Sequence, residues 1–217
     1  MEQTTLEFMK EHKIVTILRG FGLEEVLNTA QALYDGGIRL LEITFDQTAP
    51  VDVTADMIRA VSRKFAGRLR VGAGTVMTVS QLCAAYEAGA KYIISPDSNP
   101  EVIRETKKLG LVSMPGAMTP TEVASSYALG ADIVKIFPAD NLGLSYIKAL
   151  QGPLKHIPMS AVGGVNLDNI ADFLNAGLAG VGIGSNIADK AAIRRGDFAH
   201  ITELARAYVN AAFGTGH

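Results

Sequence analysis

The chain has 217 residues, of which 48% are hydrophobic and 19% are charged. This composition is ordinary for a globular protein and excludes a disordered chain. The 20 Lys and Arg side chains nearly balance 22 Asp and Glu side chains, and the net charge of −2 argues against a general nucleic-acid or anionic-membrane binder. A small anionic substrate held in a local pocket is compatible with that balance.

The sequence gives no sign of export or membrane insertion. Its first residues, MEQTTLEFMKEHK, have neither a basic start nor an apolar core, and no stretch of about 18 residues is continuously apolar. We therefore expect a cytoplasmic protein that binds neither membranes nor nucleic acid. The single cysteine, Cys83, lies in a helical pattern and is predicted to be a small, buried, apolar residue.

Glycine recurs at even intervals, and no linker or charge block divides the chain, which predicts one domain over residues 1–217. Within it, five segments share one pattern, in which a helical stretch ends, a glycine follows and a short apolar run begins. Glycine after a helix favours the left-handed conformation that caps it, and unbroken apolar runs are typical of strands buried on both faces of a parallel sheet. These segments are YDGGIRLLEI, YEAGAKYIIS, KKLGLVSMP, YALGADIVKI and LNAGLAGVGI.

Eight such apolar runs can be counted, and an amphipathic segment follows each of them. The predicted strands are residues 14–19, 39–45, 69–74, 92–96, 111–115, 133–138, 158–162 and 180–184. The predicted helices are residues 23–34, 51–65, 79–88, 100–109, 120–129, 144–150, 167–176 and 198–213. Eight β-then-α units predict an α/β protein with a single (β/α)8 TIM barrel and an extra helix before the first strand. A doubly wound open sheet is the alternative.

In such barrels the residues that carry chemistry lie at the C-terminal ends of the strands. Lys135 lies there, within Ile-Val-Lys-Ile-Phe-Pro, a run that otherwise indicates full burial. A buried ammonium is costly unless it is paired or its pKa falls, and a lysine with a lowered pKa forms Schiff bases with carbonyls. We therefore predict that Lys135 is a catalytic nucleophile. The alternative is a structural lysine in an ion pair with Glu42.

Two further charged residues belong to apolar strands. Glu42, in Leu-Leu-Glu-Ile-Thr, is predicted to exchange protons with Lys135 or with bound water, and the alternative is an ion-pair partner only. Arg19 ends the first strand, where its guanidinium can bind a carboxylate or a phosphate through two hydrogen bonds. For Arg19 the alternative is a bridge to Glu42 or Asp46.

The other strand ends predict the walls of a cavity. Thr75 follows Gly-Ala-Gly, where the backbone can approach a ligand and the hydroxyl can bind it, and Pro96 and Phe137 are predicted as apolar walls. The last two strand ends, VGG at 162–164 and GIGS at 182–185, are rich in glycine and expose backbone N–H groups. Together with a short helix N-terminus, they form the recurrent phosphate site of such barrels. Tight turns are the alternative reason for these glycines.

A catalytic metal is not predicted. Asp46, Asp97 and Asp140 lie near the strand ends and could hold a hard cation such as magnesium, but little else in the sequence supports metal catalysis. No P-loop and no dinucleotide-binding pattern occurs in the required context. The histidines all lie away from the strand ends: His12, His156, His200 and His217.

Nine segments now stand in a fixed order along nearly the whole chain. They are ILRG at 17–20, LEIT at 41–44, VGAGTV at 71–76, ISP at 94–96, MPGAMTP at 114–120, KIFP at 135–138, YIKAL at 146–150, GGVN at 163–166 and GIGS at 182–185. In this order they resemble the class I aldolases that cleave 2-keto-3-deoxy-6-phosphogluconate (KDPG) and 4-hydroxy-2-oxoglutarate (KHG), with their 6-phosphogalactonate relatives. The ordered set is specific, whereas each piece alone is not.

The resemblance implies a (β/α)8 barrel that forms a homotrimer and needs no metal or organic cofactor. It implies that Lys135 forms the Schiff base and that Glu42 is the general acid and base. Arg19 and Thr75 would bind the carboxylate of the pyruvyl group. Pro96 and Phe137 would line the pocket, and the distal phosphate of a keto-acid substrate would lie by Val162, on Gly163, Gly164, Gly184 and Ser185.

The sequence departs from the gluconate-type pattern at two places. Some gluconate-type members have arginine two residues after Glu-x-Thr, where this chain has Asp46. After strand seven those members usually read Pro-Thr-Gly-Gly, whereas Ala161 and Val162 precede the glycines here, as in the phosphogalactonate branch. Asp46 and Gln47 match neither branch. The preferred substrate and the role of these two residues are therefore left open.

Two other classes of function fit a barrel with these residues. A phosphosugar isomerase or epimerase would use Glu42 with a carboxylate such as Asp46 and would not depend on a nucleophilic lysine. A non-catalytic sugar-phosphate sensor would bind ligand without turnover. The presence of Lys135, Glu42 and Arg19 together favours the aldolase.

Overall fold

The computed structural model describes residues 3–214, in which strands and helices alternate. The strands are β1 (Ile14–Leu18), β2 (Leu40–Thr44), β3 (Arg70–Gly74), β4 (Tyr92–Ile94), β5 (Val112–Met114), β6 (Gly116–Ala117), β7 (Val134–Ile136), β8 (Met159–Val162) and β9 (Gly180–Ile183). The helices are α1 (Thr5–His12), α2 (Leu23–Asp35), α3 (Val51–Phe65), α4 (Val79–Glu87), α5 (Pro100–Lys108), α6 (Pro120–Ala128), α7 (Ala139–Leu154), α8 (Ile170–Asn175), α9 (Lys190–Arg194) and α10 (Phe198–Phe213). No helix within residues 3–214 is long and apolar enough to cross a membrane.

The strands form one parallel sheet in the order β5-β4-β3-β2-β1-β9-β8-β7-β6. Its two outermost strands, β5 and β6, are one run of chain with Pro115 between them. The carbonyl of Met114 accepts a hydrogen bond from Ser95 N at 3.2 Å, and that of Pro115 accepts one from Lys135 N at 2.9 Å. This run therefore joins β4 on one side to β7 on the other and closes the sheet into a barrel. The predicted (β/α)8 fold is confirmed.

The predicted elements occur in the predicted order, with local differences. The extra helix is α1, and the fifth strand is divided because Pro115 has no N–H to donate. The helix predicted at 144–150 begins earlier, as α7, and includes a non-helical Gly143 with φ of 77°. The helix predicted at 167–176 is shorter because the Asn166 side chain accepts hydrogen bonds from the backbone N–H groups of Asp168 and Asn169, which holds those residues in a turn.

Alternation along the strands divides the core into two layers. On β2, Leu41 and Ile43 point outward and pack in the large cluster between sheet and helices. Leu40 points inward and joins a smaller cluster that fills the barrel, and Glu42 follows it on the same face. The inner cluster comprises Met9, Val15, Leu40, Tyr92, Ile94, Val112, Met114 and Ile133. Because Met9 belongs to α1, this helix closes the end of the barrel opposite the strand ends that carry the charged residues.

The prediction that Cys83 is buried is wrong, since its side chain is exposed. Helix α4 buries Gln81, Leu82 and Ala85 against the barrel. At 100° per residue, position 83 points away from that face. A helical pattern with alanine and leucine on both sides did not reveal which face the cysteine occupied.

Candidate active site

A cavity of about 560 Å³ opens at the C-terminal ends of the strands. The structure brings every residue predicted for the site to its wall, from seven of the eight strand ends of the barrel and from both glycine-rich turns. These residues are Arg19, Glu42, Thr75, Pro96, Lys135, Phe137, Val162, Gly163, Gly164, Gly184 and Ser185. The structure shows where these residues lie and what surrounds them, and their roles in binding and catalysis are predictions.

Lys135 lies on the inner face of β7, and its neighbours Val134 and Ile136 point outward into the core. Its side chain is 6% exposed, and Nζ lies 4.7 Å from the centre of the Phe137 ring. Burial lowers the pKa of Lys135 from its usual value of 10.5, and the positive charge of Arg19 lowers it further, whereas the negative charge of Glu42 opposes this shift. The ammonium therefore loses its proton more readily than an exposed lysine does, which is the requirement for attack on a carbonyl.

Glu42 lies on the inner face of β2 and is 2% exposed. Burial raises the pKa of its carboxyl above 4.5, although the positive charges of Lys135 and Arg19 oppose the shift. A carboxyl with a raised pKa keeps its proton to higher pH than an exposed carboxyl does, and it can give up that proton and take it back during a reaction. Glu42 thus has the surroundings of a general acid and base.

Two glycines of β3 make room for the carboxyl of Glu42. A side chain at Gly74 would place its Cβ 1.8 Å from Glu42 Oε1, and one at Gly72 would lie 2.1 Å from the ring of Tyr92. The Tyr92 hydroxyl donates to the Leu41 carbonyl at 2.8 Å. Glu42 therefore rests in a space that the glycine sequence of β3 leaves open, above the aromatic ring that fills the barrel.

Lys135 and Glu42 do not form the ion pair that the sequence offered as an alternative. The ion pairs within 4.0 Å among residues 3–214 join Arg59 to Asp56, Lys107 to Asp132 and Lys108 to Glu105. Lys135 and Glu42 influence each other through the cavity at longer range. Both side chains line the same cavity.

Arg19 binds Thr75 and neither of the carboxylates considered from the sequence. Its Nη2 donates to Thr75 Oγ1 at 3.1 Å. The carboxylate of Asp46 instead accepts from the backbone N–H and the hydroxyl of Thr48, at 2.9 and 2.7 Å, and these bonds lower the pKa of Asp46. Arg19 thus lines the cavity beside Thr75, and no carboxylate among residues 3–214 lies within 4.0 Å of its guanidinium.

The two glycine-rich turns lie next to each other. Gly163 and Gly164 have φ of 99° and 70°, in the left-handed region that glycine tolerates. A side chain at Gly164 would place its Cβ 2.2 Å from Asp140 Cβ, so this position has no room for one. Asn186, just beyond Ser185, donates from Nδ2 to the Val165 carbonyl at 2.8 Å and ties the two turns together. The result is a fixed concave backbone of the kind that binds phosphate.

The cavity wall also contains residues that the sequence did not indicate. Lys190 begins α9, and its Nζ lies 6.0 Å from the centre of the Phe21 ring, which adds a positive charge to the cavity wall. Sequence reasoning passed over Lys190 because most lysines on helices are solvated. Lys190 follows the last glycine-rich strand end by about one helical turn, and this position in the sequence could have indicated it. The other additional wall residues are Ile17, Phe21, Val165, Gly182, Asn186 and Ala188.

The histidines do not contribute to the cavity. His12, His156 and His200 are absent from its wall, and His217 lies outside the described residues. Within residues 3–214 there is no group of three or more His, Cys, Asp or Glu side chains placed to hold a metal ion.

Known proteins match this chain over almost its whole length. The model of the family described as KDPG and KHG aldolase matches residues 6–204. A protein of Rhizobium meliloti named as a probable 2-dehydro-3-deoxy-6-phosphogalactonate aldolase is 37% identical over 82% of both chains. A 2-dehydro-3-deoxy-phosphogluconate aldolase of Treponema pallidum is 32% identical over 94% of this chain and 95% of its own.

A solved structure supports the same relationship. The KDPG aldolase of Legionella pneumophila, which holds pyruvate as a covalent carbinolamine intermediate, superposes with a TM-score of 0.85 at 29% identity, over 95% of this chain and 98% of its own. Sequence, fold and the residues around the cavity therefore agree, and the chain belongs to the KDPG and KHG aldolase family.

Proposed function

We propose that this protein is a class I aldolase in which Lys135 forms a Schiff base with the substrate. It cleaves a 2-keto-3-deoxy-6-phosphoaldonate or 4-hydroxy-2-oxoglutarate into pyruvate and an aldehyde. The observation that carries the proposal is the buried Lys135 on the cavity wall, whose pKa is lowered by burial and which has no acidic group within 4.0 Å among residues 3–214. The carbinolamine named for the Legionella relative is the intermediate that such a lysine would form.

The first half of the reaction joins lysine and substrate. The neutral Nζ of Lys135 attacks the C2 carbonyl carbon, and the carbonyl oxygen takes up a proton to give a carbinolamine. Glu42, whose carboxyl holds a proton to higher pH than an exposed carboxyl because burial raises its pKa, gives that proton to the C2 hydroxyl, which leaves as water. The product is a protonated imine, whose positive nitrogen can accept an electron pair from the carbon chain.

The second half breaks the carbon–carbon bond. The carboxylate of Glu42, directly or through water, removes the proton of the C4 hydroxyl, the C3–C4 bond breaks, and C4 becomes an aldehyde. The electron pair of that bond becomes the C2–C3 double bond of an enamine. Protonation at C3 and addition of water at C2 then release pyruvate and restore the amine of Lys135. The water lost in the first half is regained, so the reaction consumes no oxidant or reductant.

Arg19 and Thr75 would hold the carboxylate of the pyruvyl group, since the guanidinium lies beside the hydroxyl at 3.1 Å with donors to spare. The backbone of Gly163, Gly164 and Gly184 would bind the distal phosphate. Lys190 would add a cation that attracts the same group.

The preferred C4 configuration is open, because named relatives act on both the gluconate and the galactonate form. Val162 lines the cavity where gluconate-type members of the family have threonine, and a valine offers no hydroxyl to the substrate. Comparison of kcat/KM for the two phosphoaldonates and for 4-hydroxy-2-oxoglutarate, in the wild type and in Val162→Thr, would assign the preference.

The test of the mechanism is reduction with borohydride in the presence of pyruvate, followed by peptide mass mapping. We expect one reduced pyruvyl adduct, on Lys135, and no adduct in Lys135→Met. Lys155→Met, which removes an exposed lysine away from the cavity, is the matched control and should be labelled as the wild type is. Pyruvate binding without an adduct would instead indicate a non-covalent isomerase or a sensor, and an adduct on another lysine would place the chemistry elsewhere.

A homotrimer, a cytoplasmic location and one functional domain over residues 1–217 also belong to this proposal. The resemblance to the family supports the trimer, and sedimentation equilibrium would measure it. A monomer at micromolar concentration would contradict that part of the proposal without affecting the Schiff base.

A further inference from the structure

Thr75 has a backbone conformation that its own side chain disfavours. Its φ is +54°, in the left-handed region, where a β-branched residue is rare because Cβ crowds the backbone. Lys13 and Ala66 are the other non-glycine residues with positive φ among residues 3–214, and each ends a helix, where this conformation is common. Thr75 follows β3 on the cavity wall instead. Such a conformation persists when neighbouring groups hold it in place.

A chain of side-chain amides holds Thr75. Gln47 Nε2 donates to the Thr75 carbonyl at 2.9 Å, and Gln47 Oε1 accepts from Gln81 Nε2 at 3.0 Å. Gln81 is 6% exposed, and its Oε1 accepts from the backbone N–H groups of Met77 and Thr78, at 2.8 and 3.2 Å. The chain thus runs from the start of α4, through the loop after β2, to the residue after β3.

The order of donors and acceptors allows one orientation of each amide. The backbone N–H groups of Met77 and Thr78 can only donate, so Gln81 must present its oxygen to them and its NH2 group to Gln47. Gln47 therefore presents its oxygen to Gln81 and its NH2 group to the Thr75 carbonyl, which can only accept. Reversal of either amide would leave two like groups facing each other. The chain is therefore a directional clamp on the Thr75 carbonyl.

The other side of Thr75 faces Arg19. The left-handed turn brings the Thr75 hydroxyl within 3.1 Å of Arg19 Nη2, at the place where the substrate carboxylate is proposed to bind. Neighbouring Asp46 takes no part, because its carboxylate bonds only within its own loop, to Thr48. Of the two residues that fit neither branch of the family, Gln47 is the one connected to the site.

We propose that Gln47 is a positioning residue for the substrate carboxylate: it holds Thr75 in the left-handed conformation and, through the Thr75 hydroxyl, fixes the Arg19 guanidinium in the cavity. The inference rests on the proposed function, because it assumes that Arg19 and Thr75 bind the carboxylate of pyruvate. Gln47 does not touch the substrate and acts through Thr75.

The experiment compares pyruvate binding in the wild type and in Gln47→Ala, by calorimetry and by the pyruvate dependence of borohydride trapping. Loss of the clamp should raise the Kd for pyruvate about tenfold, the effect of one lost hydrogen bond near a charged group. The trapping rate at saturating pyruvate should change less than threefold, because Lys135 and Glu42 stay in place. Gln31→Ala, which removes a glutamine bonded to Asp35 on α2 away from the cavity, should leave both quantities unchanged.

The substitution Gln47→Ala, made in the variant Thr75→Ser, distinguishes a positioning role of Gln47 from a general loss of structure. Thr75→Ser keeps the hydroxyl but removes the methyl group on Cβ, so the left-handed turn needs less support. In Thr75→Ser, the further change Gln47→Ala should therefore weaken pyruvate binding by less than half of the factor seen in the wild type. A merely structural effect of Gln47 would give the same factor in both backgrounds, and that result would overturn the proposal.

A crystal structure of Gln47→Ala gives a readout that does not depend on catalysis. We expect Thr75 to leave the left-handed region or its hydroxyl to lose contact with Arg19. Unchanged φ and an unchanged contact at Thr75 would overturn the proposal even if activity fell. If wild-type protein bound pyruvate without trapping on Lys135, the proposed function would fail, whereas this structural readout would still decide the role of Gln47.

Discussion

At the scale of single residues, the site depends on three charges that share one cavity without direct ion pairing. Lys135 and Glu42 are both buried, and each has its pKa moved toward neutrality by burial. Arg19 acts on both: its positive charge lowers the pKa of Lys135 and opposes the upward shift of Glu42. Burial thus favours the protonated form of the carboxyl and the neutral form of the amine, which are the forms that imine formation uses.

Replacement of Glu42 and replacement of Arg19 should move the pKa of Lys135 in opposite directions. Glu42→Gln removes a negative charge that favours the ammonium, so the pKa of Lys135 should fall. Arg19→Gln removes a positive charge that disfavours the ammonium, so the pKa should rise. The pH dependence of acetylation at Lys135, read by mass spectrometry against the exposed Lys155, measures both without turnover. Shifts in the same direction would contradict the electrostatic account.

Glu42→Gln should also separate binding from turnover. General acid–base catalysis contributes about 10²–10⁴-fold, so kcat should fall by that range while pyruvate still binds at Arg19 and Thr75. Single-turnover kinetics and pyruvate calorimetry check the two parts. A variant with near wild-type kcat would assign the proton transfers to another group.

The buried lysine should reduce the stability of the folded protein at neutral pH. Because burial lowers its pKa from 10.5, the unfolded chain binds the Lys135 proton more readily than the folded one does. Between the lowered pKa and 10.5 the wild type therefore gains stability as pH rises, and Lys135→Met lacks this gain. At pH 7 we expect the variant to be more stable by about 1–3 kcal/mol, with the difference narrowing toward pH 10.5. Urea unfolding between pH 7 and pH 10.5, with Lys155→Met as control, measures this difference in the free energy of unfolding.

At the scale of elements, the strands position the site in two ways: alternate side chains point into the barrel, and glycines on β3 leave room for neighbouring side chains. The inner face of β3 carries Gly72 and Gly74, so the ring of Tyr92 and the carboxyl of Glu42 occupy the space that side chains on β3 would fill. Neighbouring strands pair Glu42 with Gly72 and Ile17 in register. The position of the Glu42 carboxyl thus depends on three adjacent strands.

Gly74→Ala should disturb catalysis more than stability. The new Cβ would lie 1.8 Å from Glu42 Oε1 and 2.5 Å from Glu42 Cγ, so the carboxyl must move. Overpacking of this kind costs about 1–3 kcal/mol, and a displacement near 1 Å at a reacting group can cost about 10²-fold in rate. Unfolding free energies and kcat measure the two effects. Gly152→Ala on α7, where a Cβ meets nothing within 4 Å, is the control and should change neither.

At the scale of the whole molecule, the two ends of the barrel have separate tasks. The C-terminal ends of the strands form the cavity, and α1 closes the opposite end with Met9, which is 2% exposed in the inner cluster. Arg70 holds the entry to α1 by donating to the Gln3 carbonyl and the Thr5 hydroxyl, at 2.7 and 2.8 Å. We expect this end to contribute stability, and the inner cluster lies between it and the cavity that Lys135 and Glu42 line.

Met9→Ala should therefore lower stability and leave catalysis unchanged. Removal of a buried methionine side chain costs about 2–5 kcal/mol, since the closed barrel end cannot collapse fully onto the gap. Denaturant unfolding should show that loss, and kcat and KM below the unfolding transition should match the wild type. Altered kinetics with intact folding would show that the two ends are coupled.

The sequence was sufficient to predict eleven residues of the cavity wall because the barrel obeys a simple rule. Candidate reactive side chains lie in or just after the C-terminal parts of apolar strands, and Lys135, Glu42 and Arg19 stand there as charges in runs that otherwise indicate burial. The resemblance then fixed the order of strands and turns. Residues with ordinary local patterns were missed: Cys83 was assigned to the wrong face of its helix, and Lys190 resembled a solvated helix residue.

What the sequence by itself determined is therefore the fold, the order of its elements and the positions that meet at the cavity, because these depend on periodicity and on residues close together in the chain. The tertiary structure decided which groups touch. It separates Lys135 from Glu42, pairs Arg19 with Thr75, and joins Gln47 to Thr75 across 28 positions. These contacts arise only when the closed barrel brings distant strand ends within hydrogen-bonding distance, a condition that side-chain reach and packing set and that local sequence does not record.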